Sequence, residues 1–358
     1  MDKTIFSLIQ MIASFLLVLL QLSTIPVFVV YPNLRNRILY RIMLSIALSD
    51  FLQLFAIFQF TFYEYFGWKA SEFTKKFASG VYIIAWDHLI VQHFLLALNR
   101  LIIFVRAFYF PNNYKEESKS ERWSFNFLLI LSWLIMSALQ VLFMTICGGI
   151  WDDEAVGFFY DNSPCSDKYR QLEFYFTIAF PAISICCYVA IIFILKKSRE
   201  STENQTIQQQ QQQLPKQQNN PSNKKIKKQN QKFNKQEKRI LIISVLLFSI
   251  ITALIFAWYL DYKHPPWTML FLGYLLINTS LTLSMNSEYR GHFFHLWKKI
   301  YKFILFREIV NSNVTDVRQQ QQTAVVKLST TAGTAAPLFL RRNEPNNPRN
   351  EQTKINNP

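Results

Sequence analysis

Cysteine is scarce: Cys147, Cys165, Cys186 and Cys187 are the only four in 358 residues. Their spacing builds neither a disulfide scaffold nor a zinc site. Charge is scarce as well, at 17% of residues, while 51% are hydrophobic and 33 are Phe. A soluble fold would have too little polar surface for such a composition. A bilayer removes the difficulty, because side chains facing lipid are apolar. With only eight Gly, helix packing must lean on aromatics, Ala and Ser rather than on small-residue dimer motifs. The five histidines are scattered without metal-ligand spacing, so a metal-dependent intramembrane enzyme is excluded and no cofactor is called for. No Lys occurs between Pro266 and Met285, which excludes a retinal Schiff base in the last apolar run.

Long apolar runs fill the space these absences leave. A membrane-crossing helix needs about 20 such residues, and seven segments qualify, at about 5–31, 38–63, 77–105, 125–147, 172–195, 240–260 and 266–285. Backbone groups in lipid must bond within their own segment, so each is expected to be a helix. The fold class expected is all-α, a seven-helix transmembrane bundle over residues 1–310. The first run lacks a small-residue cleavage site and is too long for a signal-peptide core, so it is expected to stay as an anchor.

The formal charge of +15 sits beside these runs, which favours membrane topology over nucleic acid as its meaning. Lys3, Lys69, Lys75, Lys76, Lys168, Arg170 and Lys263 fall on one side of the bundle; the remaining 31 of the 38 Lys and Arg fall on the other. The positive-inside rule then puts the N-terminus outside a plasma membrane and the C-terminus in the cytoplasm. Residues 198–236 carry the glutamine tract Gln208 to Gln213 and a basic stretch including Lys224, Lys225, Lys227 and Lys228, and 311–358 are similarly polar. Neither can bury a core, and both are expected to be disordered. Between Ser287 and Phe306, apolar side chains at helical spacing alternate with Arg290, Lys298, Lys299 and Lys302, as in a helix lying on the inner leaflet.

A few polar residues interrupt the apolar runs. Asp50 stands mid-membrane in the second run, where a carboxylate costs roughly 2.5–3.5 kcal/mol and should turn inward. Asn99-Arg100 closes the third run at its inner end, where Arg100 must be buried at the cytosolic mouth or snorkel to it. Counting back from Arg100 at about 100° per residue places Tyr82, Trp86, Leu89 and His93 on one stripe. Asp87 is offset from it by about 140° and is expected to face a neighbouring helix. Tyr82 and Trp86 lie in the outer half, where an aromatic wall suits a small molecule; packing alone would use the same residues.

Leu98-Asn99-Arg100-Leu101 resembles the Asp-Arg-Tyr signature of rhodopsin-like G-protein-coupled receptors, in the Asn-Arg form common among nematode chemosensory receptors. Asp50 resembles their second-helix acid, and Trp133 and Pro181 sit where they place a Trp and a Pro. Asn278 matches the Asn of Asn-Pro-x-x-Tyr, although Thr279 and Thr282 replace Pro and Tyr and the sixth run lacks its usual Pro. The stretch from Cys147 through Trp151 and Tyr160 to Pro164-Cys165 is similar to the second outer loop of nematode serpentine receptors of class x.

That resemblance, covering about residues 5–305, implies a chemosensory receptor for a small molecule or short peptide, with a heterotrimeric G protein as partner. It implies coupling through Asn99 and Arg100, with Glu237 as a candidate ion partner for Arg100. An activation network of Asp50 and Asn278 and ligand contacts from Tyr82, Trp86 and Asp87 are likewise expected. The usual disulfide from the third helix is impossible, since no Cys lies at its outer end; Cys147 and Cys165 are the pair positioned to close a local loop. A transporter or channel using Asp50, Asp87 and His93 is the alternative, against which stands the lack of an internal repeat or paired broken helices.

Overall fold

The computed structural model describes residues 3–109, 117–152, 157–212, 241–242, 245–246, 248–255, 266–285 and 288–302. Six helices and one hairpin come first: α1 (Lys3–Val30), α2 (Pro32–Arg35), α3 (Ile38–Phe66), α4 (Glu72–Tyr109), α5 (Lys119–Thr145), β1 (Gly149–Asp152), β2 (Gly157–Tyr160) and α6 (Pro164–Gln212). The described residues within 241–255 are helical and are termed α7; α8 is Pro266–Met285, and α9 covers 288–296. The compact unit ends at Leu296, and in the unit beyond it residues 297–302 are helical.

Among the described residues, five helices are long and apolar enough to cross a bilayer: α1, α3, α4, α5 and the Pro164–Lys197 part of α6. The seventh expected run is α8, with Leu270–Ser280 as its apolar stretch. The sixth, 240–260, is described only within α7. The calls at Glu237, at 213–236 and at 311–358 lie outside the described residues.

Local sequence explains the ends. Ser118 caps α5 by accepting the Glu121 backbone N–H, while the Glu121 carboxylate accepts from the Ser118 N–H, so two orphan donors are satisfied reciprocally. Gly67 ends α3 at φ 66°, a left-handed conformation that Gly adopts without the Cβ penalty. Pro32 opens α2 at a position whose N–H needs no partner.

Several boundaries differ from the sequence reading, most of all in α4 and α6. The helix α4 runs 72–109 rather than 77–105, because its polar ends lie beyond the apolar stretch yet keep helical bonding. The fifth expected run does not stop at Leu195: α6 carries on to Gln212, through Lys, Glu and Gln, all good helix formers. Apolarity marks where a helix leaves lipid, not where it ends.

Within the bundle α1 packs on α3 and α8, α3 on α4, and α4 on α5, α6 and the hairpin. Buried Ser7, Gln10, Ser14, Leu17, Gln21, Thr24 and Phe28 form one face of α1, while Leu16, Leu19 and Leu22 are exposed where lipid would lie. The helix α5 is apolar yet little buried, with Ile130, Leu134 and Val141 each about three-fifths exposed. That exposure fits a helix at the periphery of a membrane bundle.

Candidate functional site

Between Cys147 and Cys165, the stretch that resembles a second outer loop, β1 and β2 form a β-hairpin. Its strands pair antiparallel in the register Gly149↔Tyr160 to Asp152↔Gly157. Its base is tied three ways. Cys147 and Cys165 are disulfide-bonded with Cα atoms 5.0 Å apart. The Ser166 hydroxyl donates to the Gly148 carbonyl (2.9 Å) and accepts the Gly148 N–H (3.1 Å). Finally, the Asp161 N–H donates to the Gly148 carbonyl (3.1 Å). A Cβ on Gly149 would meet the Ser79 Cβ at 2.6 Å, so glycine here lets the hairpin lie directly on α4.

The hairpin carries an aromatic chain into the bundle. Phe60 of α3 packs against Trp151 (5.2 Å) and Phe158 (5.3 Å), and Phe158 stacks on Tyr82 of α4 (4.8 Å). Tyr82 and Trp86 then meet Phe271 of α8 edge-on, at 6.0 and 5.6 Å. These separations are those of favourable aromatic pairs. The stripe counted back from Arg100 therefore faces α8.

Two turns deeper on the same stripe, the His93 Nε2 meets the Tyr274 hydroxyl of α8 at 3.0 Å, both side chains being buried. A turn beyond Tyr274, Asn278 donates its amide N–H to the Asp50 Oδ2 at 2.8 Å. The fold thus joins Asp50 and Asn278, which lie 228 residues apart. Beside them, the Gln21 amide of α1 donates to the Thr279 hydroxyl at 3.1 Å. Thr279 stands where the rhodopsin-like pattern has Pro, and its hydroxyl donates back to the Leu275 carbonyl (3.0 Å).

Three functional candidates escaped the sequence reading. Tyr274 was hidden among apolar neighbours, although a tyrosine in a lipid-spanning run needs a partner for its hydroxyl. His88 is a hub, meeting Ser49 of α3 through Nδ1 (2.7 Å) and Ser132 of α5 and Gln92 through Nε2 (3.2 and 2.9 Å). Trp133 closes that junction by donating from Nε1 to the Ser45 hydroxyl (2.9 Å). Tyr289, at the start of α9, is fully buried, donates to the Thr24 carbonyl (2.9 Å) and stacks on Phe28 (4.7 Å). Glu288 next to it accepts from Arg37 (2.8 Å) and Tyr40 (3.2 Å), which fixes α9 to the α1–α3 corner.

At the end opposite the hairpin, Asn99 and Arg100 are both buried, Arg100 completely. The level of α4 that bears them packs against α6 and α7 through Ala97, Phe104, Cys187, Tyr188, Ile191, Leu241 and Phe248. Arg106, nearly two turns on, bonds Glu121 of α5 at 2.7 Å. Asp87 does leave the stripe and faces α6, where it accepts the Tyr169 hydroxyl.

A helical membrane bundle with a disulfide-tied hairpin at one end, a buried acid at its middle and a buried Arg at the other end is a seven-transmembrane receptor. The sequence profile of the family described as serpentine type 7TM GPCR chemoreceptor Srx matches residues 27–279, and the chain belongs to that family. It is therefore a chemosensory receptor and not a member of an enzyme class. No curated protein matches the chain.

Proposed function

We propose that the receptor takes a small-molecule or short-peptide ligand at the hairpin end, which faces outward with the N-terminus, and activates a heterotrimeric G protein at the Arg100 end. The Lys and Arg asymmetry supports this orientation. The carrying observation is the line of contacts along the α4–α8 seam: Tyr82 and Trp86 to Phe271, His93 to Tyr274, and Asn278 to Asp50. A ligand that displaces Phe271 or the two α4 aromatics moves α8 relative to α4. The polar contacts below then have to re-form in another register. Asn99 and Arg100, two turns past His93 on the same helix, are the groups such a shift would present to the G protein. Tyr82, Trp86 and Asp87 line the ligand side.

The test is signalling in cells co-expressing several G-protein α subunits. Arg100→Ala should abolish ligand-evoked signalling with surface expression kept, and Tyr274→Phe should shift the response without abolishing binding. Undiminished signalling by Arg100→Ala would refute the coupling assignment. An antibody epitope at residue 210 should be reached only after permeabilisation.

A further inference from the structure

Beneath the hairpin, two carboxylates from different helices share one tyrosine-lined space. Asp87 of α4 accepts the Tyr169 hydroxyl of α6. Glu173, one turn further along α6, accepts the Tyr160 hydroxyl of β2 at 2.7 Å. The rings of Tyr160 and Tyr169 lie 6.0 Å apart, and Phe143 stands edge-on to Tyr169 at 4.8 Å. Each tyrosine has one proton to give, whereas an ionised carboxylate offers about four acceptor directions. Capacity is left over. The Asp87 Oδ1 is sealed from solvent and accepts no hydrogen bond. Among the described residues neither forms an ion pair; Arg170, on the same helix, turns instead to Asp167 at 3.2 Å.

A pair of acids at membrane depth that forms no ion pair among the described residues is an expensive arrangement. Asp87, Glu173, Tyr160, Tyr82 and Trp86 each keep part of their surface exposed, so a ligand entering here has to part the tyrosines to reach the sealed Asp87 Oδ1. We propose that this space binds the amine of the ligand, as a primary ammonium bridging the Asp87 Oδ1 and the Glu173 carboxylate between the tyrosine rings. The inference rests on the hairpin end being the ligand entrance, and it adds the ligand's chemical class. A primary ammonium carries three N–H donors, enough for both acids and one tyrosine oxygen, and the rings favour positive charge against their faces. A quaternary ammonium has the charge but no donor, and so leaves the Asp87 Oδ1 unbonded. Primary amines should bind better.

The test uses the full chain in nanodiscs, without G protein, and follows its thermal unfolding midpoint against n-hexylammonium, hexyltrimethylammonium and hexanol. A saturable rise with n-hexylammonium, and little with the other two, is expected. Asp87→Asn and Glu173→Gln should each weaken the apparent affinity by about 30-fold or more, as for loss of one partner of a buried ion pair. Glu173→Gln gives the result alone if Asp87→Asn does not fold. No saturable rise, or an equal rise in the variants, overturns the proposal. Because unfolding is read on the isolated receptor, failure here is distinct from failure of G-protein coupling, which only the cell assay reports.

Discussion

Asn278→Leu should be among the most damaging substitutions at the centre of the bundle, and the reason lies in what it leaves behind. Asp50 is completely buried, and its recorded bond is the 2.8 Å contact from the Asn278 amide to Oδ2; the Oδ1 accepts nothing. Leu keeps the branching of the Asn side chain but offers no donor. The carboxyl group would then be buried without this partner, at a cost of about 3 kcal/mol, between that of an orphaned hydrogen-bonding group and that of an unpaired buried charge. For a chain of 358 residues this is a fall of about 4 °C in the unfolding midpoint.

The partner substitution separates the pair from the site. Asp50→Leu orphans only a neutral amide, at about 1–3 kcal/mol. The double substitution D50L/N278L leaves no orphan and should cost less than the two singles added together. A coupling of roughly 1–2 kcal/mol is expected, as for residues in direct contact. The measurement is denaturant or thermal unfolding of all four proteins in one detergent. Additivity within about 0.5 kcal/mol would show that the contact does not hold α3 to α8, and the proposed relay would lose its lowest step.

Gly149→Ala forces its methyl group to within 2.6 Å of the Ser79 Cβ, so the hairpin must lift from α4; overpacking of this kind costs about 1–3 kcal/mol and should weaken ligand response more than surface expression. Replacing both Cys147 and Cys165 by Ser opens a loop of 18 residues, worth about 3 kcal/mol in the chain-entropy model; circular dichroism should show helix content kept while the unfolding midpoint falls. Asp161, in the loop after β2, is pushed upward by partial burial, but bonds from Ser163 and Ser166 and the charge of Lys76 outweigh this and hold its carboxyl below the usual value of 3.8. A carboxyl lowered on folding stabilises the fold above its unfolded value and loses that contribution as pH falls through its folded value. The hairpin end should therefore loosen below about pH 4, and Asp161→Asn should remove that part of the acid sensitivity in an unfolding titration.

The helices were legible because lipid imposes one rule on every span, a run of apolar residues long enough to cross. Their true ends were not, since helices α4 and α6 keep bonding through polar residues that the rule ignores. The stripe through Tyr82, Trp86 and His93 could be counted from Arg100 because helical spacing is fixed, and it faces α8 as counted. Which residue waits on the far side could not be counted. Tyr274 meets His93 across 181 residues of sequence, and nothing local to either distinguishes it from an ordinary packing aromatic. The hairpin was missed for a related reason. Strands of four residues give little alternation to detect, and what holds them together is a glycine pressed on α4 and a disulfide, not a strand pattern.

Tyr289 carries this point into the mechanism. The rhodopsin-like pattern places a tyrosine four residues after the Asn of the last helix, and this chain has Thr282 there. Pattern alone suggests that the aromatic element is lost. The structure instead buries Tyr289, a later tyrosine, with its hydroxyl donating to the Thr24 carbonyl and its ring on Phe28, so that the aromatic tie runs from α9 to α1. Gln21, one turn before Thr24, meanwhile donates to Thr279, the residue in the proline position. Both departures from the pattern thus converge on α1, which takes contacts from α8 and α9 within a single turn. A motion of α8 started at Phe271 would have to carry α1 with it or break these two bonds. Among the described helices, the one that most constrains the last span is therefore the first.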